Sequence, residues 1–184
     1  MKKYGMLLLP FLATGWSCSQ QQPWLTRVVD ERVVVQVPAE LQELAPENLG
    51  MPPTARQIMW GAEDAEGMYL VLRQTPGHIN NRERYYEGLV KGVLRSAHGE
   101  LLARSTFPTR GGNGIELMFK ARDPNSGKSV VQYSRSVLVD SCTYSFSFVS
   151  RNEQDSTGAS GMDSRRRFFE SITVTPRMES VVEQ

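Results

Sequence analysis

From Glu100 to Arg151 apolar and polar residues alternate with a period of two through four successive segments. Successive side chains on a strand point to opposite faces, so this spacing predicts strands and excludes helices over the stretch. The strand expectations are Glu100–Phe107, Gly114–Arg122, Lys128–Val139 and Cys142–Arg151. In the second, Ile115, Leu117, Phe119 and Ala121 share one face, while Glu116, Lys120 and Arg122 share the other. In the last, Cys142, Tyr144, Phe146 and Phe148 alternate with Thr143, Ser145 and Ser147. Such alternation marks an antiparallel sheet with one face packed and one more polar. "DPNSGK" (Asp123–Lys128) and "VDSC" (Val139–Cys142) have the composition of turns between consecutive strands.

Other periodicities flank this block. Leu25–Val29 and Arg32–Val37 are β-branched runs separated by Asp30-Glu31, a pairing that predicts a hairpin whose turn lacks the usual glycine. Pro38 ends the second run, and "AELQEL" (Ala39–Leu44) reads as a short helical turn. Ala55–Trp60 and Met68–Gln74 are the next strand expectations, joined by "GAEDAEG" (Gly61–Gly67). Its three acids read as a solvated turn, because a calcium loop needs more oxygen ligands at alternating positions.

Between Asn81 and His98 the period changes to three and four: Tyr85, Tyr86, Leu89, Val90, Val93, Leu94 and Ala97 form one apolar stripe. Asn80 or Asn81 is suited to cap this helix and Gly99 to end it. Gly88 and Gly92 are expected to let the helix backbone sit close to a sheet. After a polar loop, Asn152–Gly161, a second helix is expected over Met162–Ser171, capped by Ser160 or Asp163, with Phe168, Phe169 and Ile172 as its apolar contacts. "ITVTP" then closes the domain as a short strand. Hairpin, strands, long helix, meander, helix and strand make an α+β domain, an antiparallel sheet flanked by helices.

The N-terminus carries a different kind of information. Lys2 and Lys3 precede an apolar run, Tyr4–Gly15, and small residues Gly15 and Ser17 flank Trp16. A basic start, an apolar centre and a small-x-small end form the three parts of an export signal over residues 1–17. The run is shorter than the ~20 apolar residues needed to span a bilayer, and Pro10 interrupts it. Ser17-Cys18 resembles the cut site of a bacterial lipoprotein, in which the cysteine after the cut receives diacylglycerol. Gly15 and Trp16 stand where that pattern usually has Leu and a small residue. Simple cleavage after Gly15 or Ser17 is the alternative. Lipidation of Cys18 would make residues 18–24 a lipid-bearing tether, 25–176 the domain and 177–184 a tail. It would place the protein in the bacterial cell envelope, and Ser19 in place of Asp directs it to the outer membrane. The partner implied is then the membrane, through the N-terminal lipid. Only Cys142 would be left with a free thiol, since the chain has 2 cysteines.

Charge limits the partners further. Lys2 and Lys3 lie in the export segment, so the net charge of +1 for the whole sequence becomes about −1 without it. No excess of basic residues favours nucleic acid. Arg165-Arg166-Arg167 is the one cluster, and consecutive residues on a helix point in different directions. It reads as a solvated face, with phosphate or acidic-partner recognition as the alternative.

The element order, with "VVVQVPAEL" (Val33–Leu41) and "RRRFFESITV" (Arg165–Val174), resembles the PsbP-like α/β/α sandwich. Gly111-Gly112-Asn113-Gly114-Ile115-Glu116 partly matches a Gly-x-x-Gly-x-Glu run found in those relatives. The resemblance covers residues 25–176 and implies a fold. It supplies no catalytic residues, and relatives of this kind include exported bacterial proteins of unknown role.

Tests for chemistry are mostly negative. His78 and His98 lack a second ligand at zinc spacing, so no metal site is expected, and His98 suits a helix C-terminus. "SGKS" (Ser126–Ser129) lacks the preceding glycine and the following helix that a phosphate loop needs. Cys142 shares its strand face with three aromatic residues and reads as a core thiol. Arg135 shares its face with Val131, Tyr133, Val137 and Val139. It reads as a snorkelling side chain at the sheet margin or, with Tyr133, as an anion contact in a cleft. No cofactor is implied. The sequence therefore points to an envelope protein with a non-catalytic protein-binding or assembly role, another envelope protein being the partner. A carrier or sensor of a small ligand is the alternative, with Tyr85, Tyr86, Phe146 and Phe148 lining its pocket, and a hydrolase ranks third.

Overall fold

Alternation in the second half of the chain produces the expected strands, and they join strands from the first half in one sheet. The computed structural model describes residues 23–45, 56–109, 112–122, 127–152, 155 and 157–175. In chain order the elements are β1 (Leu25–Asp30), β2 (Val33–Val37), β3 (Gln42–Leu44), β4 (Gln57–Glu63), β5 (Gly67–Gln74), α1 (Arg82–Ser96), β6 (Glu100–Thr109), β7 (Gly112–Arg122), β8 (Ser129–Val139), β9 (Cys142–Ser150), α2 (Met162–Ser171) and β10 (Thr173–Val174). A seven-stranded sheet has the order β3-β4-β5-β9-β8-β7-β6, and a three-stranded sheet the order β1-β2-β10. Every pairing is antiparallel. The domain is α+β, with helices on both faces of its main sheet.

The two apolar sets identified on β7 and β9 lie on opposite faces. Ile115 pairs with Ser136, and Ser136 with Ser145, so the odd residues of β7 share a face with the even residues of β8. That face carries α1: Tyr86 and Val90 pack with Ile115, Leu117, Phe119, Ala121 and Leu138. On the other face Tyr144, Phe146 and Phe148 pack with Val33, Val35 and Val37 of β2 and with Phe168 and Phe169 of α2. Both faces are therefore packed, contrary to the expectation of one polar face. Ser134, Ser136 and Thr143 are themselves buried, at 3%, 1% and 0% exposure. Small hydroxyl residues pair across strands there, Ser136 with Ser145 at 2.8 Å, and the Thr143 and Tyr85 hydroxyls bond each other at 2.7 Å. Ser136 and Thr143 thus find hydrogen-bond partners inside the protein, so their burial is tolerated.

The hairpin and both helices fall where the sequence placed them, and α2 has the expected bounds. Asn81 caps α1 by accepting from the Arg84 N–H at 2.9 Å. Several expectations are corrected. "AELQEL" contributes a strand, β3, because Gln42–Leu44 can hydrogen-bond to β4, whereas one isolated helical turn gains too few bonds to form. Leu44 also fills the space above Gly61, where a Cβ would come within 2.7 Å of its Cδ1. Strand β4 therefore runs on to Glu63, and the turn is confined to Asp64–Glu66, where Asp64 Oδ1 accepts from Glu66 N and Gly67 N. Gly88 and Gly92 are exposed, with nothing within 4 Å of an added Cβ, so they do not bring α1 close to the sheet.

Two further corrections concern helix ends. Helix α1 closes with the Gly99 N–H on Leu94 O (2.8 Å) and the His98 N–H on Arg95 O (3.2 Å). In that motif the left-handed position is His98, at φ 44°, one residue before the expected glycine. Gly99 follows because a Cβ there would lie 2.7 Å from Lys120 O. Helix α2 has no side-chain cap: it starts after Gly161, at φ 66°, which abuts the Phe148 ring. The Ser160 N–H is already held by Asp155.

Candidate functional site

Three places gather polar or exposed groups. At the tip of the first hairpin, Asp30 does the work assigned to a turn glycine: its Oδ1 accepts from Arg32 N (2.8 Å) and Val33 N (3.1 Å). Its Oδ2 accepts the Tyr144 hydroxyl at 2.6 Å and lies 3.6 Å from Arg73 Nε. Burial, then the Asp30 carboxylate, push the Tyr144 hydroxyl well above the ordinary tyrosine range. Arg73 Nη2 reaches Cys142 Sγ at 3.8 Å, and Thr75 Oγ1 lies 4.0 Å from the same sulfur. The Arg73 Nε is buried without a hydrogen bond. Arg32 meets Asp140 of the β8–β9 turn at 2.8 Å. Hairpin, β5 and β9 are clamped together by these contacts. Cys142 is free and buried, in line with a core thiol.

The second place contains both residues singled out on β8. Arg135 stands directly opposite Glu116 and bonds its Oε2 at 2.5 Å. Its Nη1 donates to Phe169 O at 3.0 Å, one of the carbonyls in the last turn of α2. The guanidinium carbon is 5.4 Å from the Phe107 ring centre and 5.1 Å from that of Phe169. Tyr133 donates its hydroxyl to Gly158 O at 3.3 Å, and Arg165 stacks on its ring at 3.5 Å. The fold thus brings Arg135 and Tyr133 to the same side of the sheet under α2, each with intramolecular partners. The arginine cluster is dispersed too: Arg165 also bonds Gly158 O, Arg166 bonds Asp163, and Arg167 lies over Trp24.

Cys18 lies outside the described residues. Tyr85 and Tyr86 face the sheet from the α1 side, whereas Phe146 and Phe148 belong to the core under α2. These four aromatics cannot line one pocket, which corrects the lining expected for a ligand carrier. Among the described residues no group of three His, Cys, Asp or Glu converges on a metal-sized site, and no helix is long and apolar enough to cross a membrane.

The third place is the outer edge of the main sheet. β6 is an edge strand of ten residues, and Glu100–Thr106 are exposed. Leu101 and Leu102, at 38% and 45%, are among the large apolar residues most open to solvent. Periodicity could not reveal this, because an edge and a central strand can share one alternating pattern. The only sequence signal is two adjacent leucines where the alternation should place one. They coincide with a register shift between Leu101 and Ala103. The chain matches no protein-family model and no curated protein sequence.

Proposed function

We propose that the chain is an exported, lipid-anchored envelope protein whose domain binds a protein partner or holds an assembly together without catalysing a reaction. Cys18 carries the lipid in this reading, residues 19–24 form a tether, and the membrane is the outer membrane. The domain is a sandwich of the PsbP-like kind. The observation that carries the binding role is the β6 edge, ten residues long with Leu101 and Leu102 open to solvent. Unpaired backbone donors and acceptors along such an edge are a template for another chain. Partly buried charged groups that could otherwise suggest catalysis, Asp30, Glu116 and Arg135, hold the protein's own elements together.

The address is tested by growing cells with labelled palmitate. Label is expected in the wild type and absent from Cys18→Ala; an unlabelled wild-type protein overturns the anchor. The role is tested by pull-down from solubilised envelope at native expression. A single protein in fixed stoichiometry is expected, and repeated recovery of none overturns it.

A further inference from the structure

We infer that the tether holds the domain with the outer face of α2 against the bilayer, and that this face rests on zwitterionic phospholipid headgroups. The inference deepens the envelope reading and rests on Cys18 carrying the lipid. The chain is fixed in the domain at Trp24, whose ring packs on that of Tyr69 at 5.5 Å. Trp24 lies six residues after Cys18, a reach of at most about 21 Å and a flexible span of about 13 Å. A domain of roughly 150 residues is about 38 Å across. Trp24 is therefore held closer to the membrane surface than the domain is wide, and the surface around it is the part turned to lipid.

That surface is the exposed side of α2. The Arg167 guanidinium carbon lies 4.8 Å from the Trp24 ring centre and its Nε bonds Gln36 Oε1 at 3.4 Å, so α2 borders the point where the tether enters. Met162, Asp163, Arg166, Arg167 and Glu170 are exposed, and steps of three and four set them on one side of the helix, away from Phe168 and Phe169. Two cations and two anions leave this side without net charge. A zwitterionic headgroup offers the matching pair: a phosphate for Arg166 and Arg167, and a cationic amine for Asp163 and Glu170. The Arg166–Asp163 ion pair is open to solvent on both sides, and so exposed a pair is weak enough to exchange for lipid groups. Met162 adds an apolar side chain, half exposed, on the first turn. Each contact is weak by itself, but the short tether keeps the face at high effective concentration beside the headgroups.

Nitroxide labels at Met162→Cys on α2 and at Lys91→Cys on α1, each in a Cys142→Ala background, read proximity to nickel-chelating lipid headgroups. α1 packs on the other face of the main sheet with Lys91 exposed, roughly 20 Å further from the bilayer. The lipidated full chain is placed in vesicles of phosphatidylethanolamine and phosphatidylcholine, and far-UV circular dichroism confirms that each variant is folded. Nickel is expected to speed relaxation of the label at 162 and to leave that at 91 unchanged. A Gly/Ser insert of about 20 residues after Pro23 lets the tether span about 28 Å and should abolish the difference. Replacing part of the lipid with phosphatidylglycerol should not alter it. Equal relaxation at the two positions overturns the orientation, as does a difference that survives the insert. A difference that grows with phosphatidylglycerol overturns the zwitterionic headgroup. Protein without palmitate label removes anchor and orientation together, whereas labelled protein with equal relaxation removes the orientation alone.

Discussion

Asp155 shows how much one side chain can organise. Buried at the start of the loop before α2, it accepts from Thr157 N, Thr157 Oγ1, Gly158 N, Ala159 N and Ser160 N at 2.7–3.1 Å. Burial opposes its charge, but the amides of Ser160, Ala159 and Gly158 and the Thr157 hydroxyl outweigh it and bring the pKa down to about 2. A folded-state pKa below the unfolded one means the stabilisation is complete above the ordinary value of 3.8 and is lost as pH falls towards 2. Thermal melts of the wild type should fall steeply over that range, and melts of Asp155→Asn should fall less. Asp155→Ala should cost about 2–3 kcal/mol at neutral pH, read from urea unfolding. The opposite sign is expected at His98, where φ is 44° without a glycine. His98→Gly should raise stability by about 0.5–1 kcal/mol, again measured in urea. The loop's dependence on Asp155 left no trace in the sequence, where "DSTGASG" reads as any polar loop. The turn at Asp30 is the same case: a carboxylate replaced the glycine that pattern rules look for.

Elements were legible in proportion to their length and periodicity. α1 spans four turns with one apolar stripe, so its existence and its Asn81 cap could be read directly. β3 could not, because three residues carry no period and the hydrogen bonds that create it belong to β4. Gly88 and Gly92 show the limit of motif reading: small residues four apart suggest close packing, but they lie on the solvent side of α1. Nothing in the fold uses their lack of a side chain. Gly88→Ala and Gly92→Ala should each raise stability by about 0.5–1 kcal/mol, detected as a higher urea midpoint with unchanged slope.

At the scale of the molecule, one sheet serves two cores. Phe168 of α2 is wholly buried among Tyr69, Phe146 and Phe169, with ring centres 5.4, 6.5 and 5.3 Å away. Leu117 occupies the core on the α1 face, at 1% exposure. Because the strands between them are shared, loss of either core should unfold both. Phe168→Ala is expected to cost about 3–5 kcal/mol. Its unfolding should remain a single transition, with tryptophan fluorescence and far-UV ellipticity coinciding. Separate transitions for the two probes would show that the two layers fold independently.

The sequence by itself determined which of the longer segments would be strand and which helix, since period two and period three to four are properties of neighbouring residues, but it misread the short β3 as a helical turn. It also determined that each strand of the meander would have an apolar face. Only the tertiary structure decided that the Ile115 face would meet α1 and the Tyr144 face α2, and that Arg135 would be held between Phe107 and Phe169. It alone placed β6 at the open edge of the sheet. Alternation records that a residue turns inward or outward; which element lies across from it depends on residues far away in the chain.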